Sequence, residues 1–420
     1  MTLLPLSVED LAGALVDEGP DTAHAVRERL RAAPPLVARA ETELLSARLA
    51  AVARGEAFLL QGGDSTGPAT GDVQVHLEAH LRVLHQTGVV VMYAAGLPVV
   101  KMAQVCGPYA PIHHLADDGI PRGHALSAAT MNLFRGLCRG ETAGLERIHG
   151  WNTEFVRTAA GARYRPLADR IGRGLRFMAA GGFTDRTAST TELYTSRRML
   201  APGHERAMLL PDTELGRPAG PDVAAAGPAT PLVSGSAHFL WLDAHDARID
   251  DSYAALVRRA SNPVGLRIGP DTTPAHAAEL VERFDPHAVP GRLTLTCAMG
   301  SRWVRDLLPS VVERVEAAGR QVVWQCDPLY RNPRDFEGAL DELAGFFEVH
   351  RGLGTHPGGI RMETGGIGMR RETGGVRVET DGTRETAAGP RLPGLRLPGP
   401  CLTGAQAVEL GFRTAELLGT

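Results

Sequence analysis

Eight short apolar segments recur along the chain, and each one gives way to polar residues where it ends. The sequence between them often places apolar residues three or four positions apart, which is the spacing of an amphipathic helix. Short apolar strands that alternate with helices predict a parallel sheet, and this number of them predicts a closed (β/α)8 barrel. The predicted strands are FLLQGGDS (58–65), PVVKMAQV (98–105), TTELYTSRR (190–198), HFLWLDAH (238–245), VGLRIGP (264–270), RLTLTCAMG (292–300), QVVWQCDP (321–328) and GGIRMET (358–364).

Helical spacing also occurs ahead of the first predicted strand and after several of the later ones. We therefore expect residues 1–55 to form a helical extension, which caps the bottom of the barrel or makes a dimer contact, and residues 56–420 to form the barrel, with inserted helices around 106–189. Two segments, Gly203–Leu232 and 361–386, are predicted to be loops because they are rich in glycine and lack apolar periodicity. The predicted helices are Val8–Val16, Thr22–Leu30, Pro35–Val52, Ser127–Leu137, Arg165–Met178, Pro274–Phe284, Val304–Ala318 and Phe336–Leu353.

The composition narrows the classes of function. With a net charge of −4 and no run of basic residues, the chain lacks the electrostatic features of a protein that binds nucleic acid or an anionic membrane. No apolar run is long enough to cross a bilayer and no signal peptide is visible, so we expect a cytoplasmic protein. The five cysteines show no CxxC spacing, and we interpret them as reduced thiols that are mostly packed in the core.

Several long sequence motifs occur in the order that is typical of one enzyme family. From about residue 56 to the C-terminus, the chain resembles the class II (plant-type) 3-deoxy-D-arabino-heptulosonate 7-phosphate (DAHP) synthases. The resemblance implies a (β/α)8 barrel with an N-terminal extension, assembled as a homodimer or larger. It also implies a reaction that joins phosphoenolpyruvate to erythrose 4-phosphate with a divalent metal. The motifs include FLLQGGDS, VVKMAQVCGPYA, LERIHGWNTEFVR, GLRFMAAGG, NPVGLRIGPDTTP, GRQVVWQCDP and FFEVHRGLGTHPGGI.

The resemblance also implies a metal site made of Cys, His, Glu and Asp, and this chain departs from that set. The matching positions hold Ser65, Tyr330, Glu363 and Gly389, so that only the glutamate is kept. A catalytic divalent ion usually needs about three protein ligands and an open position. We therefore expect no metal and no other cofactor.

The positions that the resemblance assigns to phosphoenolpyruvate are changed in the same way. Gln104, His245, Ala247 and Ala298 occupy or adjoin family arginine positions, and Arg267 stands where the family has lysine. The loss of three or four such arginines removes on the order of 5–10 kcal/mol of binding free energy. Two family segments near the barrel mouth are also missing. A wider and less cationic mouth predicts a larger, unphosphorylated substrate that carries a carboxylate.

The replacements and the retained polar groups define the candidate site. His245 and Tyr330 are the predicted acid–base groups, because an imidazole and a phenol can move protons without a metal. A space-filling role in the core is the alternative for Tyr330. Support of the barrel's upper layer is the alternative for Asp64, Lys101, Trp324 and Asp327. Glu363 and Asp64 complete the predicted catalytic set. The predicted substrate-binding residues are Lys101, Gln104, Arg198, Arg267, Ser65, Trp241 and Asp327.

Three hypotheses of function follow from these residues. The first is an enzyme of specialised (natural-product) metabolism, such as antibiotic biosynthesis, which performs a metal-independent condensation, cyclisation or aldol-type step on a small molecule. The second is a catalytically inactive scaffold or regulator of a genuine synthase. The third is a DAHP synthase with residual family activity. Substitution of His245 and Tyr330 separates the first two, because an enzyme should lose turnover while a scaffold should be indifferent.

Overall fold

A computed structural model provides the structure of the protein. It describes most of the barrel and its helices, with gaps. The described residues are 28–63, 73–104, 119–139, 144–182, 192–199, 205, 207–211, 232–243, 251–332, 335–364, 369–372, 375–378 and 402–419.

Eight parallel strands close into a barrel, which confirms the predicted (β/α)8 fold. Each of the eight apolar segments contains one barrel strand. The described strands are β1 Phe58–Gly63, β2 Val99–Gln104, β3 Leu193–Arg198, β4 Leu209–Pro211, β5 Leu232–Ser234, β6 Phe239–Asp243, β7 Val264–Ile268, β8 Leu293–Cys297, β9 Val323–Cys326, β10 Gly359–Glu363, β11 Met369–Glu372 and β12 Gly375–Val378. The order around the barrel is β1-β10-β9-β8-β7-β6-β3-β2, so that β1 pairs with both β2 and β10 and closes the sheet.

Helices connect successive barrel strands and form the outer layer. The described helices are α1 Arg39–Ala53, α2 Val73–Ala95, α3 Gly119–Arg139, α4 Leu145–Phe155, α5 Arg165–Ala180, α6 Asp251–Arg259, α7 Pro274–Phe284, α8 Val304–Glu316, α9 Phe336–Leu353 and α10 Gly404–Leu418. A single 3-10 turn, Ala162–Tyr164, precedes α5. Thr273 caps α7, since its side chain accepts a hydrogen bond from the His276 N–H. Among the described helices, none is both long and apolar enough to cross a membrane.

Helix α1 closes the amino end of the barrel. Leu45, Leu49 and Val52 of this helix are fully buried, and they form one apolar cluster with inward-facing strand residues such as Leu59 and Phe239. Burial of side chains of this size stabilises the fold by about 1.5–3 kcal/mol each. The barrel therefore has an apolar floor, and polar side chains are left for its other end.

Two short antiparallel sheets correct the predicted loops. Leu209–Pro211, inside Gly203–Leu232, pairs with Leu232–Ser234, which begins at the last residue of that segment. Within 361–386, Met369–Glu372 pairs with Gly375–Val378. The predictions were wrong at these residues because such short strands produce too few alternating positions for a period to be recognised.

Candidate active site at the carboxyl end of the barrel

Alternate residues of the barrel strands face the axis, and near the carboxyl ends many of these are charged. On β10, for example, Arg361 and Glu363 share the inward face. We call the resulting group the mouth cluster. It consists of Gln104, Arg198, Trp241, Asp243, Arg267, Asp327, Tyr330, Arg361 and Glu363.

Arg361 is the centre of the hydrogen-bond network in the mouth cluster. Its Nη1 donates to Asp327 Oδ2 at 2.6 Å. Its Nη2 donates to Glu363 Oε2 at 2.7 Å and to Gln104 Oε1 at 3.0 Å. All four side chains are buried, so these charge-assisted bonds form in a medium of low polarity and fix the guanidinium in place. The network joins strands from both ends of the chain.

Asp243 is the common partner of the remaining charged and polar groups of the cluster. Its Oδ2 accepts a hydrogen bond from the Tyr330 hydroxyl at 3.1 Å and one from Arg267 Nη1 at 3.4 Å. Arg198 Nη2 lies farther away, 3.9 Å from the same oxygen. Arg267 also approaches Asp327, with its Nε 3.3 Å from Asp327 Oδ2, and so joins these groups to the rest of the cluster.

Trp241 lies among the three guanidinium groups. The Cζ atoms of Arg361, Arg267 and Arg198 lie 4.4, 4.9 and 5.4 Å from the centre of the Trp241 ring. Arg267 also lies 3.9 Å from the Tyr330 ring centre. Contacts between a cation and an aromatic face are worth about 0.5–2 kcal/mol each, with the larger values in dry sites. The indole therefore provides a platform that holds the cations together.

The charges of the cluster balance, because three guanidinium groups face three carboxylates. Burial lowers the pKa of Arg267, although Asp327 and Asp243 oppose that shift. For Arg361, burial is outweighed by Asp327 and Glu363, and the pKa is raised. Both arginines remain cationic at neutral pH. The mouth is thus a preformed, internally neutral ion network.

The structure brings together seven of the predicted site residues. Asp64, Ser65 and His245 lie outside the described residues. Lys101 is described but is not in the cluster, because it faces the helical layer between the inward-facing Val100 and Met102. The residues brought together are Gln104, Arg198, Trp241, Arg267, Asp327, Tyr330 and Glu363.

The surroundings of Lys101 explain its separate position. A Cβ atom at Gly88 of α2 would lie only 3.2 Å from Lys101 Cδ, so the absence of a side chain there makes room for the lysine stem. Burial lowers the pKa of Lys101 to about 8, against the opposing effect of Cys138 and Glu192. This lysine packs between the barrel and its helices.

Two members of the cluster were missed by sequence reasoning. Arg361 occupies the centre of the network, and Asp243 joins Tyr330 to two arginines. The signal for both was strand alternation, since each lies two positions from another predicted residue, Glu363 and Trp241 respectively. The family resemblance assigns a function to other positions, so Arg361 and Asp243 were not predicted.

A buried carboxyl group lies below the loops that follow β8 and β9. Glu342 of α9 accepts hydrogen bonds from the Gly300 N–H at 2.8 Å and from Asn332 Nδ2 at 2.7 Å. Burial raises the pKa of Glu342 to about 8, and the nearby Asp327 charge adds to the effect. This residue ties the two loops at the mouth to the outer helix.

Comparison with known proteins identifies the family. A sequence profile of the class II DAHP synthetase family matches residues 15–113 and 117–414. The chain is 41% identical over 440 residues to phospho-2-dehydro-3-deoxyheptonate aldolase AroG of Mycolicibacterium smegmatis, an alignment that covers 95% of this chain and 91% of that protein. It is 35% identical over 454 residues to phospho-2-dehydro-3-deoxyheptonate aldolase of Streptomyces coelicolor, covering 97% and 96%. The barrel, the strand-end motifs and these matches agree, and the chain belongs to the class II DAHP synthetase family.

Proposed function

We propose that this chain is an enzyme that binds an unphosphorylated, carboxylate-bearing substrate in the mouth cluster and acts on it by acid–base chemistry without a divalent metal. The reaction class is a condensation, cyclisation or aldol-type step in specialised metabolism. The carboxyl end of the strands is where (β/α)8 enzymes hold their active sites, and the mouth cluster lies there.

Buried donors without acceptors carry this proposal. Trp241 Nε1 and Arg361 Nε are both buried, and neither has a hydrogen-bond partner among the described residues. A buried N–H that stays unpaired costs about 1–3 kcal/mol. Both atoms belong to the mouth cluster, where the Arg361 guanidinium lies over the indole. An oxygen-rich ligand would supply the acceptors that these donors need.

The charge balance favours a single carboxylate over a phosphate dianion. Asp243 and Asp327 already neutralise much of the positive charge, and a doubly charged group would repel both of them. Arg198 is the most accessible guanidinium of the cluster, with 19% of its side chain exposed against 5% for Arg267 and 4% for Arg361. We assign the substrate carboxylate to Arg198.

We assign the proton-transfer chemistry to Tyr330, which Asp243 orients, and to His245. The phenol already donates to Asp243 at 3.1 Å, and the Arg267 guanidinium lies 3.9 Å from its ring centre. In an aldol-type step, a base removes the proton beside the substrate carbonyl, the new carbon–carbon bond forms, and an acid protonates the resulting alkoxide. We assign the acid to Tyr330. The base is His245, which follows Asp243 closely in sequence.

The residues present do not fit the family's divalent metal. Of the four positions that match its ligands, Ser65 and Gly389 lie outside the described residues and offer a hydroxyl and no side chain. Glu363 accepts a hydrogen bond from Arg361, and Tyr330 donates to Asp243, so each is engaged in the ion network. Within the described ranges, no group of three or more His, Cys, Asp or Glu side chains could hold a metal ion. The proposed reaction therefore uses no metal.

A second candidate function is the reaction of the named relatives. Identities of 41% and 35% to two proteins named phospho-2-dehydro-3-deoxyheptonate aldolase extend over nearly the whole chain and support it.

As a part of either proposal, we take the chain to be a cytoplasmic homodimer. Light scattering of the purified protein would give twice the mass of the chain, and a monomeric mass would contradict the dimer.

One set of assays separates the candidates. The purified chain is mixed with phosphoenolpyruvate and erythrose 4-phosphate, with Mn²⁺ or with EDTA, and heptulosonate formation is measured. Pyruvate binding is measured by saturation-transfer NMR. We expect no metal-dependent product, and we expect pyruvate binding that weakens by about five-fold or more in Arg198→Gln. Arg302→Gln is the matched control, because Arg302 also lies over an indole, that of Trp303, outside the cluster.

The other outcomes are equally clear. EDTA-sensitive heptulosonate formation at an ordinary rate of about 1–100 s⁻¹ would establish the second candidate and overturn the first. Pyruvate binding that is absent, or equally weakened by both substitutions, would contradict a carboxylate site at Arg198. Once a turnover assay exists, a Tyr330→Phe variant that is folded and fully active would remove the acid assigned here.

A further inference from the structure

A groove lies between the helices at the amino end of the barrel, remote from the mouth cluster. Its volume is about 1000 Å³. Its walls are the C-terminal turns of α2 and α10 together with the first turns of α5 and the 3-10 turn before it. In a (β/α)8 barrel each helix runs back from the carboxyl to the amino end of the strands, so the last residues of α2 and α10 lie at the floor end. The mouth cluster and this groove therefore cannot share a ligand.

The groove is lined by more positive than negative charge. Arg163, Arg170 and Arg413 line it together with one carboxylate, Glu416, and the Glu409 carboxylate acts on Arg163 from outside the lining, which leaves one positive charge in excess (three minus two). Glu416 Oε2 lies 3.1 Å from Arg163 Nη2 and 3.0 Å from Arg413 Nη1. A carboxylate of the chain itself therefore lies between these two guanidinium groups. Arg170 forms no ion pair with the described residues.

A buried hydroxyl provides an independent observation. Tyr164 lines the groove, yet its side chain is only 1% exposed and its hydroxyl has no hydrogen-bond partner among the described residues. Its ring is held in an aromatic stack, with centroid distances of 5.0 Å to Phe412 and 6.5 Å to Phe155. The guanidinium of Arg163 lies 4.7 Å above it. A rigidly held, buried hydroxyl without a partner is costly unless a ligand or water satisfies it.

The groove also offers an apolar surface. Tyr93 lines it and is 43% exposed, and Leu167 and Leu417 line it from the other two helices. A half-exposed aromatic ring beside guanidinium groups is typical of sites that take a ligand with an apolar body and a charged end.

We propose that this groove is a binding site for a small organic anion. The carboxylate or phosphate of the ligand meets Arg170 and Arg163, a polar atom of the ligand pairs with the Tyr164 hydroxyl, and its apolar body covers Tyr93. The site does not depend on the function proposed for the mouth cluster, since it shares no residue with it.

Two anions and one neutral analogue test this site on the full chain. Benzoate carries a carboxylate, phenyl phosphate carries a phosphate and benzamide carries no charge. Binding is measured by saturation-transfer NMR and calorimetry. At least one anion should bind, benzamide should bind more weakly by about five-fold or more, and Arg170→Gln should weaken the anion by a similar factor. The preferred anion then identifies which oxyanion the groove takes.

Matched variants keep the test decisive. Arg173→Gln, on the same helix but outside the groove, should leave binding unchanged. Tyr164→Phe removes only the hydroxyl and should weaken binding by about three-fold or more; because Arg170 is exposed, its variant remains informative if Tyr164→Phe does not fold. Equal effects of Arg170→Gln and Arg173→Gln, equal binding of benzamide, or no anion binding would overturn the site. A loss that occurs only in Arg198→Gln would place the anion in the mouth cluster and would overturn it as well.

Discussion

At the amino end of the barrel, Leu49 of α1 packs with Leu59 and Phe239 in a cluster of apolar side chains. At the carboxyl end, Arg361 and Asp327 occupy the same axis as part of a buried ion network. Apolar burial stabilises the fold without demanding a partner for each atom, whereas every buried charge must find one. Apolar packing at the floor therefore stabilises the fold without specific partners. The charged groups of the mouth are stable only as a paired network, and they are suited to binding and catalysis. Four measurements test this contrast.

The largest effect is expected from Arg361→Met. The substitution leaves Asp327, which is 1% exposed, without its shortest hydrogen bond and with uncompensated charge. We expect a loss of about 3–5 kcal/mol in the free energy of unfolding, measured by urea denaturation. The double variant Arg361→Met, Asp327→Asn should regain a large part of it. A single variant as stable as the wild type would show that the network is not an interdependent unit.

A comparable but somewhat smaller loss is expected at the floor. Leu49→Ala removes a fully buried side chain and should cost about 2–5 kcal/mol of unfolding free energy. Leu44→Ala is the control on the same helix, since Leu44 is 44% exposed and should matter by less than about 0.5 kcal/mol. Pyruvate binding by the folded protein should be unchanged in both variants. A binding defect in Leu49→Ala would couple the two ends and contradict their separation.

The mouth end should become less stable as pH rises. The pKa of Glu342 is about 8 in the folded protein, above its ordinary value near 4.5, so the folded state binds the proton more tightly than the unfolded chain. This contribution is present in full below pH 4.5 and is lost as pH rises through 8, by on the order of 2–4 kcal/mol. Glu342→Gln should flatten the stability profile between pH 5 and 9, measured by urea denaturation at each pH (about one point per pH unit). An unchanged slope of the stability profile in Glu342→Gln would mean that other groups cause the pH dependence.

The floor end should show the opposite dependence, with the smallest effect. Partial burial would raise the pKa of Glu41, but His238, the Ala38 N–H and Arg135 lower it to about 2. The stabilisation is present above pH 4.5 and lost as pH falls toward 2; because 40% of the Glu41 side chain is exposed, we expect about 1 kcal/mol or less. Glu41→Gln should therefore destabilise the protein near neutrality and by clearly less at pH 3, where only part of the stabilisation is left, as thermal unfolding at both pH values (about 7 and about 3) would measure. A difference of undiminished size at pH 3 would contradict the ion-pair origin.

The sequence predicted the barrel because each strand is a local feature. An uninterrupted apolar run such as 239–242 (FLWL) predicts a strand by itself, whichever strands it later pairs with. The helix Val73–Ala95 was not predicted, because Gly88 and the β-branched residues Val89–Val91 have low helix propensity. Its burial against the barrel overrides that preference.

The site was predictable only in part, for a different reason. The residues that end strands could be found one at a time, but their partners depend on how the barrel closes. Gln104 and Arg361 are 257 positions apart and meet because β1 lies between their strands. Strand alternation could place Arg361 on the inward face, but it could not identify partners so distant in sequence, so the centre of the network was missed while several of its neighbours were found.

The pairing of β1 with both β2 and β10 also governs how the protein is made. A ribosome delivers the chain from its amino end, so β1 and β2 emerge long before Gly359–Glu363 does. Until then one edge of β1 has no neighbour, and Asp327 has no Arg361 to neutralise it. The nascent barrel therefore stays open between β1 and β10 until nearly the whole chain has been translated. Only then can the ion network of the mouth cluster form.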